Sequence, residues 1–143
     1  MNDKDFLAAL ESCTLPESEF PHAGHVRAGY LYLTNHSFPR AVERMCSAVR
    51  AYARSLGKPD RYHETITVGF MVLINMHLHK LGDGGGWEGF KVSNPELFSK
   101  DALLQFYPRE LLESPAARMC FVLAPRAATE WRLARGGDEC ILQ

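Results

Sequence analysis

Neither sign of charge dominates this chain. Its 16 Lys and Arg stand against 17 Asp and Glu, a formal net charge of −1. Without a basic stripe there is no footprint for phosphate neutralisation, so nucleic acid is not an expected partner. Long apolar runs are missing too. No stretch reaches the ~18 residues a membrane-spanning helix needs, so no membrane is expected. The start, Met1-Asn2-Asp3-Lys4-Asp5, does not have the basic-then-apolar order of a signal peptide. The four cysteines (Cys13, Cys46, Cys120 and Cys140) form no CxxC pair. Buried reduced thiols in a cytoplasmic protein are the plain reading. No period-two alternation of useful length occurs, and no internal repeat, which leaves an all-α chain.

What is present is helical periodicity. Phe6, Leu7 and Leu10 share one face of a short first helix, with Asp3 as the expected cap. A second helix is expected over about His22 to Thr34, with Gly24, Ala28 and Gly29 small enough to admit a close neighbour. The third carries Val42, Met45, Cys46, Val49, Ala53 and Leu56 on one face and stops at Gly57. The fourth, about 62–81, is apolar around nearly its whole circumference and therefore central to a helical bundle. Short proline-punctuated helices follow, near Trp87–Val92, Asp101–Phe106, Arg109–Glu113 and Pro115–Val122. The expected organisation is one bundle domain over 1–124 and a loosely packed tail over 125–143. Gly82-Asp83-Gly84-Gly85-Gly86 reads as a linker, since it lacks the Lys-Ser/Thr of a phosphate loop. The closing Cys140-Ile141-Leu142-Gln143 fits a prenylation pattern, but four residues carry little information and chance suffices.

Short connections make neighbouring helices antiparallel, so helices two and four are parallel and start at the same pole. His22 and His25, spaced i, i+3, then face the pole that holds His63 and Glu64. Three imidazoles with one open position resemble a catalytic site for one divalent transition metal, Zn, Fe or Ni. On that reading His22, His25 and His63 ligate, and Glu64 is a general base on bound water or a fourth ligand. Arg27, Arg61, Tyr62, Tyr32, Tyr107 and Arg109 are the candidates for holding a small anionic substrate. His77 and His79 fall at the opposite pole and read as solvated histidines that suit a helix C-terminus.

Phe20-Pro21-His22-Ala23-Gly24-His25-Val26-Arg27, Tyr30-Leu31-Tyr32-Leu33 and Tyr62-His63-Glu64-Thr65-Ile66-Thr67 carry a likeness. With Asn94-Pro95-Glu96-Leu97 and Tyr107-Pro108-Arg109-Glu110, they resemble a family of small uncharacterised bacterial all-helical proteins over roughly residues 5–122. The resemblance implies a bacterial cytosolic setting and carries no activity. A metal-dependent enzyme acting on a small anionic molecule is the leading expectation. Metal-free binding or sensing of a small anion, and a homodimer built on helix faces, are the alternatives.

Overall fold

Residues 1–81 and 85–125 are described by the structure, a computed structural model. The tail beyond 125, with the prenylation-like terminus, lies outside the described residues, as does most of the glycine-rich linker.

Helix α1 (Asp3–Glu11) starts where the Asn2 side chain accepts the Asp5 N–H at 2.8 Å. The capping residue is thus Asn2, one position before the expected Asp3. Its apolar face buries Phe6 and Leu10. Helix α2 (His22–Asn35) follows Pro21, whose fixed φ suits the position before a first turn. Helix α3 (Phe38–Ser55) has Pro39 in its first turn and is followed by Gly57, two residues past its end, which takes φ 69. That left-handed conformation costs glycine nothing sterically, and it turns the chain towards α4 (Glu64–Leu81).

The sequence expectation of a helical bundle holds: the described residues are all-α and contain no strand. Helix α2 packs on both α3 and α4. A Cβ on Gly29 would lie 2.8 Å from Ile74 Cδ1 and 3.0 Å from Met71 Sδ, so hydrogen at this position is what lets α2 and α4 approach so closely. The expected small-residue contact is therefore present. The core runs continuously from Phe6 and Leu10 through Val26, Met45, Tyr52, Met71 and Ile74 to Phe90 and Leu97.

The C-terminal part is shorter-stepped than expected. Helix α5 (Trp87–Ser93) matches closely. The Asp101–Phe106 region narrows to a 3₁₀ turn at Ala102–Gln105, α6 is Arg109–Leu112 and α7 is Pro115–Met119. Helix α7 starts as read, with Ser114 accepting the Ala117 N–H, and stops well before Val122. These pieces lie across α4, where a Cβ on Gly69 would come within 3.1 Å of the Leu103 methyls. Among the described residues no helix is long and apolar enough to cross a membrane.

Candidate functional site

Parallel helix starts do not by themselves bring side chains together, and here the three histidines diverge. His63 immediately precedes α4, and its Nδ1 accepts the Ile66 N–H at 3.1 Å, the role of a capping side chain. A nitrogen that accepts from an N–H carries no proton. The proton therefore sits on Nε2, which donates to the Leu112 carbonyl at 2.6 Å. Both nitrogens are committed and the ring is 7% exposed. His63 is a pin between α4 and α6, with no lone pair left for a metal.

Glu64 turns the other way, towards α3. It accepts from Arg50 at 3.0 Å and from the Tyr62 hydroxyl at 3.0 Å. The Arg50 guanidinium lies 4.6 Å from the Tyr62 ring centroid. Burial raises the Tyr62 phenol well above its ordinary range, with Cys46 and Glu64 adding to the effect. Burial likewise pushes the Cys46 thiol up. The Cys46–Arg50–Tyr62–Glu64 group is a cross-link between α3 and α4, and the Glu64 carboxylate is held by two donors within it. The cysteines were expected to be buried; among the described residues Cys13 and Cys46 are half-buried and Cys120 is exposed.

His22 and His25 do meet in one place. Both line a cleft of about 380 Å³ whose walls are Val26, Met45, Ile66, Phe70, Met71 and Ile74, with Thr67 and Lys100 as its other polar groups. The cleft lies along the α2–α4 contact. His22 Nε2 donates to the Leu97 carbonyl at 2.9 Å, and its ring meets Phe70 edge-on at 4.8 Å. Since a carbonyl only accepts, the proton is on Nε2 and a neutral ring keeps Nδ1 as an acceptor. That same bond pins the turn Pro95–Phe98, which leads into Lys100. His25 Nδ1 donates to the Pro21 carbonyl at 3.1 Å and stacks on Phe20 with centroids 3.9 Å apart. Its remaining nitrogen, Nε2, is likewise an acceptor.

Burial lowers the His25 pKa below its ordinary 6.5, and His22 adds to the lowering against the opposing Pro21 bond. A histidine that resists protonation only when folded lets the unfolded chain take the proton first. Stability is therefore unaffected above pH ~6.5 and falls as pH drops below it. The expected result is a lower urea midpoint at pH ~5 than at pH ~7.5, with the difference narrowed in His25→Gln. An equal drop in that variant would assign the pH dependence to other groups.

The remaining candidates disperse. Arg61 and Tyr62 share with His25 the lining of a small cavity of about 100 Å³, where Arg61 pairs with Glu17 at 3.2 Å. Arg27 instead ties α2 to the N-terminus, bonding Asp3 at 2.7 Å and covering the Phe6 ring at 4.5 Å. Tyr32 is buried and donates to Glu11 at 2.9 Å. Tyr107 is buried and donates to the Val122 carbonyl at 2.6 Å, while Arg109 is exposed on α6. Arg118 donates to the Asp60 and Tyr62 carbonyls, locking α7 onto the turn before α4. Among the described residues no three His, Cys, Asp or Glu side chains gather closely enough to hold one ion.

The cleft residues that sequence reading passed over are Lys100, Ile66, Thr67 and Phe70. Ile66, Phe70 and Ile74 recur at i, i+4, i+8, a stripe that reads as core on a helix apolar all round. Lys100 had no such signal, since its placement depends on the turn that His22 holds.

Fold and cleft together define an all-α single-domain bundle with a ligand-sized apolar cleft, rimmed by two histidines and a lysine. Compared with protein-family models, curated proteins and solved structures, the chain matches none, so its functional reading rests on this geometry.

Proposed function

We propose that the chain binds a small molecule in the α2–α4 cleft without a metal, the ligand having an apolar body and an anionic group. The observation that carries this reading is the composition of the cleft. Two aliphatic-aromatic walls, from Val26 and Met45 on one side and Ile66, Phe70, Met71 and Ile74 on the other, meet a cationic rim at Lys100. A mostly apolar pocket of this size with few polar groups is the usual form of a small-molecule site. Lys100 makes no ion pair among the described residues, so its ammonium is available to a ligand anion. The metal-dependent reading loses support because His63 has both nitrogens bonded and Glu64 is held by Arg50 and Tyr62. A cytoplasmic setting suits the free thiols of Cys13 and Cys46.

Anilinonaphthalene sulfonate, an aromatic anion that brightens in apolar surroundings, tests the reading. Its fluorescence is expected to saturate at one dye per chain. Lys100→Met, by removing the cation, should weaken binding about five- to tenfold. Ile66→Trp, at a half-open position on the wall, should fill the cleft and abolish binding while unfolding stays cooperative. Equal binding in all three proteins, or no saturation, would refute the assignment.

A further inference from the structure

Resting on that cleft reading, we infer that the ligand is an aromatic acid that also carries a hydrogen-bond donor, a hydroxyl or an N–H, directed at His22 or His25. The basis is the proton bookkeeping of the rim. Each imidazole spends its one N–H on a backbone carbonyl: His22 on Leu97 at 2.9 Å and His25 on Pro21 at 3.1 Å. What each neutral ring retains is an acceptor, Nδ1 of His22 and Nε2 of His25, and neither has a partner among the described residues. Thr67 behaves alike. Its hydroxyl donates to the His63 carbonyl at 2.7 Å, so its lone pairs alone remain. Apart from Lys100, the polar groups lining the cleft can therefore only accept.

This asymmetry decides the ligand class. An apolar acid seated in the cleft would satisfy Lys100 but strip water from acceptors and give them nothing in return. An acceptor desolvated without a partner is costly, which is how a site built around polar groups rejects an analogue lacking the matching hydroxyl. A ligand with a second anionic group or a bare ether in that position would be rejected for the same reason. The Phe70 ring, which lines the cleft and meets His22 edge-on, favours a flat aromatic body over a chain.

The probes are phenylacetate and its 2-, 3- and 4-hydroxy isomers, titrated calorimetrically at neutral pH into the full chain and its His22→Phe, His25→Phe and Lys100→Met variants. At least one hydroxy isomer should bind tenfold or more tighter than phenylacetate. That ratio should fall to near one in one histidine variant, and it is read within each variant, because His22→Phe also releases the turn leading into Lys100 and lowers phenylacetate affinity itself. Lys100→Met should weaken all four acids together. If phenylacetate binds through Lys100 and no isomer improves on it, the donor inference fails and the cleft reading stands. If neither the acids nor the sulfonate dye binds saturably, both fall. Should a phenylalanine variant not fold, the wild-type isomer ratios and the remaining variant still decide between these outcomes.

Discussion

Replacing His63 with alanine is expected to destabilise the fold by about 2–4 kcal/mol while leaving dye binding in the α2–α4 cleft intact. Two losses combine. The Ile66 N–H loses its capping acceptor, an exchange typically costing ~1 kcal/mol. The Leu112 carbonyl, reached at 2.6 Å by a ring only 7% exposed, loses its donor in a site where water enters poorly. An unsatisfied buried acceptor costs about 1–3 kcal/mol. Asparagine at 63 should recover the cap, because its carbonyl can accept from Ile66, but it is too short to reach Leu112 and should restore only part of the loss. Chemical denaturation of the three proteins, with dye titration of each, separates the readings. Near-wild-type stability in His63→Ala would discard the pin. Loss of dye binding at full stability would return His63 to the site.

The helices were legible in the sequence and the direction of their polar side chains was not. Helices α2, α3 and α4 fall close to their expected bounds because periodicity, Pro39 and Gly57 act locally. The same-pole placement of the α2 and α4 starts also follows, since short connections force it. Convergence fails at the next level of detail. His63 stands before the helix and folds back to cap it, whereas Glu64 is its first residue, so the two consecutive side chains reach different neighbours. His63 finds its acceptor 49 residues away, on a segment whose short helices carry no periodic signal of where they will lie. Glu64 finds Arg50 on the neighbouring helix α3, a residue that no sequence motif had singled out. Arg27, a candidate for holding the substrate, instead faces α1 from α2, where Asp3 and the Phe6 ring take its charge. The i, i+3 pair His22 and His25 survived because both lie on one helix and their spacing alone sets them side by side.

The opposite pole yields the other large effect. Asn94→Leu is expected to cost about 2–4 kcal/mol, although leucine is apolar and similar in size. Asn94 is fully buried, and its amide bridges two elements: Nδ2 donates to the Phe90 carbonyl at 2.8 Å, and Oδ1 accepts from His77 Nδ1 at 2.7 Å. His77 was expected to be simply solvated. It is instead half-buried, and its Nδ1 also lies 3.2 Å from Glu96. Leucine would leave the Phe90 carbonyl without its partner inside the core, a loss that better packing does not offset. His77→Phe alone removes the partner of Asn94 Oδ1 and should cost less, since Nδ2 still holds Phe90. The double variant should be less destabilised than the sum by about 1 kcal/mol, because the bond between the two residues can be lost only once. Strict additivity in that cycle would mean that His77 and Asn94 act independently. Wild-type stability in Asn94→Leu would mean that the buried amide is not what ties α5 to the end of α4.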